Sequence, residues 1–270
     1  MHAEREARRA PCARCGSYAC QECFGSERET LCASCRERVG GVIAWEADDG
    51  GHVLARGWAT VVQAIPAPFS TFEGVRDGEG LLSALWFATF VNVVSYGVPM
   101  LLCAPCVLGT FALIPLEHDM PRGALLGIGT TMMLAFPALM AGFAVGLSVI
   151  VGLVYHLAAV VAGGTASLES SLRAALFLNA LAPVSAASWI LGRIPLIGIL
   201  VSLATLVGSV VWQTFALAGH ARGAHGISDN RAWLVGAVPA MLTLAMMAAA
   251  VFVVLAVAFA DGSGLLEDID

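Results

Sequence analysis

The chain has 270 residues, 58% of them hydrophobic and only 13% charged, about half the charged share of a soluble domain. Fourteen arginines, no lysine and 20 acids leave a formal charge of -6. No clustered basic face accompanies it, which excludes a nucleic-acid partner. Nine of the 14 arginines and twelve of the 20 acids precede residue 80, so a polar front is followed by a body that reads as a lipid-embedded chain. The Arg-only, Ala- and Gly-rich usage points to a GC-rich, bacterial genome. Four regions are expected: 1–40, Cys-rich and metal-binding; 41–80, a linker; 81–260, transmembrane; and 261–270, an acidic tail. No apolar stretch follows Arg8-Arg9, so membrane insertion is expected from the internal apolar segments.

Three CxxC pairs open the chain: Cys12 with Cys15, Cys20 with Cys23, and Cys32 with Cys35. A CxxC turn places two thiolates on one metal, and two such turns complete a tetrahedral Zn site. Sixteen residues separate the first pair from the third, which is the spacing of ribbon- and finger-type zinc sites. Ligation supplies the folding free energy that so short a segment cannot obtain from a core. One zinc on Cys12, Cys15, Cys32 and Cys35 is therefore expected. Cys20 and Cys23 either replace one of those pairs or join His2 or His52 at a second metal. Disulfides and a redox pair are the competing readings, and a reducing cytoplasm disfavours the first of them. Iron-sulfur spacings are absent.

Residues 55–64 suit either a short interfacial helix, with Trp58 at headgroup level, or a plain linker; Pro66 and Pro68 are expected to end any helix there. A helix needs about 20 apolar residues to cross a bilayer. Five spans are expected, at about 82–114, 124–161, 173–191, 194–218 and 233–260. The first two stretches are long for one crossing and short for two; prolines 99, 105, 115 and 137 bend them, and six or seven spans are the alternatives. Five spans with a cytoplasmic N-terminus put Arg173, Arg222, Arg231 and the nine N-terminal arginines inside, and only Arg122 and Arg193 outside. That arrangement obeys the positive-inside rule and places the chain in a bacterial inner membrane.

Few polar residues fall inside these spans, and no Asp, Glu or Arg is expected within one. His156 reads as reaching the interface. Asn92, Asn179 and Gln213 read as interhelical hydrogen-bonding groups. Gly142-xxx-Gly146 and Ser148-xxx-Gly152 permit close helix approach. His220, Arg222, His225 and Arg231 read as a solvated cytoplasmic loop. Cys103 and Cys106 form a fourth CxxC, read as two small lipid-facing residues in preference to a redox pair. Motifs of metalloproteases, serine hydrolases and P-loop enzymes are absent, so no catalysis is expected.

The order of features over residues 58–255 resembles the Yip domain family, named for membrane proteins that interact with Rab-type GTPases in vesicle traffic. The features are Pro66-Ala-Pro-Phe-Ser-Thr-Phe72 before the first span, His156-Leu-Ala-Ala-Val-Val-Ala-Gly-Gly164 closing the second, and Ser167 to Arg173 leading into Ala174-Ala-Leu-Phe-Leu-Asn-Ala-Leu-Ala-Pro183. Ile194-Pro-Leu-Ile-Gly198 opens the fourth, and His220 to Arg231 precedes the fifth with its Pro239. The N-terminal segment looks like a B-box-type zinc finger lacking part of its ligand set. The resemblance implies five spans, a cytoplasmic N-terminus and no catalytic residues. The expected function is a membrane-anchored interaction or scaffold protein, whose zinc module binds a cytoplasmic protein while the spans sit in the lipid bilayer, with homo-oligomers allowed. The alternative is an oligomeric transporter or channel for a neutral solute.

Overall fold

The computed structural model describes residues 10–11, 18–19, 43–46, 51–75, 80–113, 122–192, 194 and 196–267. Two-residue strands, β1 (Ala10–Pro11) and β2 (Tyr18–Ala19), pair antiparallel with Ala10 opposite Ala19. All other regular structure among the described residues is helical. Cys12, Cys15, Cys20, Cys23, Cys32 and Cys35 lie outside the described residues.

The segment before the bundle is a helix, not a bare linker. Helix α1 (Val53–Ala64) starts on His52, whose Nδ1 accepts the Leu54 N–H, satisfying one of the donors that every helix start leaves unpaired. Gly57, Val61 and Ala64 of α1 are buried against the bundle, while Leu54, Trp58 and Val62 form an exposed stripe at i, i+4 and i+8. An apolar stripe of that spacing suits the membrane interface. Pro66 ends this helix, but Pro68 begins the next one. In α2 (Pro68–Glu73) the proline occupies the first turn, where its missing N–H costs nothing.

The bundle follows. Helix α3 spans Leu81–Leu113 and α4 spans Arg122–Val161. The next segment is broken into α5 (Leu168–Phe177), a 3-10 turn at Leu178–Leu181 and α6 (Ala182–Leu191). Helices α7 (Ile197–Gly223) and α8 (Asp229–Glu267) complete it. Four stretches are long and apolar enough to cross a membrane: Leu81–Cys106, Leu126–Val161, Leu168–Leu191 and Ile197–Gly223. The shortest has 24 residues, about 36 Å of helix against a hydrocarbon core of about 30 Å. Each of the two long apolar stretches forms one helix, as in the five-span reading. The third departs from the expected single helix because of Pro183, whose ring displaces the Asn179 carbonyl from an i−4 bond. That carbonyl accepts the Ala182 N–H instead, three residues on, which is 3-10 geometry.

Helix α3 packs along α4, α5 wedges against both, and α8 runs along α7. Their shared core holds Phe72, Phe87, Tyr155, Phe177 and Leu217, all fully buried. Leu102, Leu139, Phe143 and Leu200 point away from it, as a lipid-facing surface requires. Helix α2 docks on α7 at Gly219 and Gly223, where any Cβ would run into the backbone of Phe69 and Glu73. Of the two small-residue motifs, Gly152 meets Leu172 and Ala175 of α5, whereas Gly142 and Gly146 face open space.

Candidate functional site

Polar side chains gather in two layers of the bundle. The first lies where residues 43–46 and 51–75, the strap, cross its end. Trp45 directs this strap: its N–H donates to Thr60 Oγ1 at 2.8 Å and its indole N–H to the Ser83 carbonyl at 2.9 Å. Its ring packs edge-on to Phe87 and stacks with Phe90, and its own carbonyl accepts from Arg56. The next residue, Glu46, is thereby set 2.5 Å from Arg173, with both side chains at most 7% exposed. A second ion pair joins Glu73 of α2 to Arg222 of α7 at 3.2 Å, and Arg222 also reaches Asp229 at 3.3 Å. Its guanidinium covers the Phe69 ring. Trp212 of α7 donates its indole N–H to the carbonyls of Ala64 and Ile65. Glu169 accepts the Leu81 N–H, placing negative charge at the start of α3, where the helix dipole favours it.

Beneath the strap sit three histidines. His220 is fully buried, with Nδ1 2.9 Å from the Tyr155 hydroxyl and Nε2 3.0 Å from Ser170 Oγ. Tyr155 also donates to the Leu217 carbonyl at 3.2 Å. One hydroxyl carries one proton, so a neutral His220 protonated on Nδ1 satisfies the whole set: it donates to Tyr155 and accepts from Ser170. Ser171 Oγ lies within hydrogen-bonding distance of His225 Nε2, at 3.0 Å, and of His156 Nδ1, at 3.1 Å. Among the described residues no three His, Cys, Asp or Glu side chains converge to hold a metal ion.

The second layer lies deeper. Asn92 donates to Asn179 Oδ1 at 2.7 Å, and Asn179 donates to Ser148 Oγ at 2.9 Å and to the Leu176 carbonyl at 2.8 Å. Asn92, Ser148 and Asn179 line a cavity of about 210 Å³ together with Ser209, Gln213 and Thr243.

Against expectation, His220 and His225 are not in a solvated loop. α7 continues five residues past the expected end of its span, to Gly223, and the turn after it folds His225 back beneath the strap. Arg231 is exposed, as read. Arg173 falls inside an apolar span because that span begins at Leu168. His156, half-buried on Ser171, faces the interior. Asn92 and Asn179 do join helices. Cys103 and Cys106 are exposed on α3. The missed residues are Glu46, Glu73, Tyr155, Ser170 and Ser171, whose partners on other elements lie 15 to 149 positions away and leave no local pattern. The one available signal was an acid beside Trp45 and an arginine opening an apolar run.

No family model, no curated protein and no solved structure matches this chain.

Proposed function

We propose that the chain is a membrane-anchored interaction protein of the Yip type. A cytoplasmic zinc module binds a protein partner, and a five-span bundle holds that module at the bilayer. The observation that supports this is the strap. A passive tether needs no such ion pairs, yet residues 43–46 and 51–75 are fixed to the bundle by the buried pair of Glu46 with Arg173 and by Glu73 with the partly exposed Arg222. The N-terminal module is therefore joined to an ordered platform, which reduces the conformational entropy lost when a partner docks. The CxxC spacing of the sequence is what supports zinc on Cys12, Cys15, Cys32 and Cys35. Helix α8, 39 residues long, serves as the fifth crossing, since Trp233 to Ala260 carries no charge. The arginine distribution favours a cytoplasmic N-terminus in a bacterial inner membrane.

The test is elemental analysis of the full chain purified under reducing conditions, with cross-linking in cells as a second readout. About one zinc per chain is expected, lost in Cys12→Ser and kept in Cys20→Ser, with the same cross-linked partner bands lost and kept. A metal-free chain, or bands indifferent to Cys12→Ser, sinks the reading.

A further inference from the structure

We propose that the bundle contains a binding site for a small, uncharged, polyol-class molecule, entered from the membrane face opposite the strap. This goes beyond the interaction reading and depends only on the bundle lying in a bilayer. The 210 Å³ cavity under Asn179 is larger than the roughly 150 Å³ cavity that admits benzene in an engineered protein. It is not isolated. Tyr96, Ser185 and Ser209 border both this cavity and a second one of about 640 Å³. The second continues past Ser188, Ser202 and Thr205 to Gly192 at the α6–α7 turn.

Position along α7 sets the depth. Gln213 and Ser209 precede His220 by 7 and 11 residues, about 10 and 16 Å of helix, and Ser202 precedes it by about 27 Å. The crevice thus runs from mid-bilayer to the face remote from the strap. Tyr155, Phe177 and His220 are fully buried and line neither cavity.

The lining selects the guest. Inside a bilayer an unsatisfied hydrogen-bonding group costs several kcal/mol, yet hydroxyls and amides from α3, α4, α6, α7 and α8 converge on this space. The 3-10 break at Leu178–Leu181 puts Asn179 at the inner end, the kind of helix interruption that lines cavities at membrane depth. No lining residue is an acid, an arginine or a histidine, so a charged guest would lose its hydration without a counter-charge. Asn92, Asn179, Ser148, Ser188 and Thr243 already donate within the bundle; to the other lining groups, Ser202, Thr205, Ser209 and Gln213 among them, an apolar guest would offer no partner. A polyol matches, because each of its hydroxyls donates and accepts as the lining groups do. Phe136 and Trp189, with ring centroids 6.1 Å apart, add an apolar wall for its C–H surface.

The test is saturation-transfer NMR on the full chain in nanodiscs, with glycerol, erythritol and sorbitol as probes and glycine betaine, a zwitterion whose ammonium and carboxylate both need counter-charges, as the comparison. Saturation of at least one polyol but not of betaine is expected. The apparent affinity should fall at least about tenfold in Ser209→Leu, which removes a hydroxyl and fills the junction of the two cavities. Thr205→Val, which keeps the shape of the side chain, carries the comparison if Ser209→Leu does not fold. Polyol signals that persist unchanged in a folded variant, equal saturation of betaine, or no polyol signal at all would each overturn the proposal. None of these outcomes bears on the zinc content or partner bands that test the interaction reading.

Discussion

Arg173 and Glu46 are 127 positions apart in the chain and 2.5 Å apart in the fold. Removing one partner of a buried pair strands the other charge, which costs about 3–5 kcal/mol, whereas replacing both with apolar groups is often neutral. Arg173→Leu is therefore expected to lower the midpoint of thermal unfolding in detergent, and Glu46→Leu on top of it to recover most of the loss. Failure of the second change to rescue the first would mean that Arg173 acts through something other than Glu46. His220→Phe keeps the ring but leaves the Tyr155 and Ser170 hydroxyls without their shared partner. A loss of about 1–3 kcal/mol is expected in the same assay. The candidate residues were partly legible. Asn92 and Asn179 announced themselves because an amide in an apolar run has few options but another helix. Histidine 220 did not, because a polar residue near the end of a span reads the same whether water or a folded strap lies beyond it.

Helix α2 has six residues and would not persist alone, since isolated helices that short are unstable in water. Its stability comes from its seat on α7, where Gly219 and Gly223 admit its backbone, and from the stacking of Phe69 on Trp233. Gly219→Leu should lift α2 away. Limited proteolysis is expected to cut within 65–75 in this variant and not in the wild type, while the helical circular dichroism of the spans stays unchanged. Continued protection of that segment would place the anchor of the strap elsewhere. Spans were the most legible elements, because length and apolarity alone decide whether a helix is at home in lipid. The break between α5 and α6 was in principle readable from Pro183. Its consequence, an amide presented to a crevice, depends on which helices surround it.

For the molecule as a whole, the count of crossings decides which faces the ends occupy. Five crossings put the termini on opposite sides, and four put them together. A reporter active only outside the cytoplasm, fused after Asp270, is expected to be active, and the same reporter ahead of Met1 to be silent. Matching signals at both ends would remove α8 from the set of spans and the arginine argument with it. By itself the sequence determined the class of the molecule: a polar, cysteine-rich front and a body of apolar helices, since hydrocarbon tolerates no unpaired backbone and few charges. Tertiary structure alone decided that residues 43–46 and 51–75 fold back as a strap, that Glu46 and Glu73 meet arginines from other helices, and that scattered serines and amides face one crevice. Those outcomes rest on contacts between distant segments, where the geometry of helix packing chooses which polar groups meet, and no periodicity along the chain records that choice.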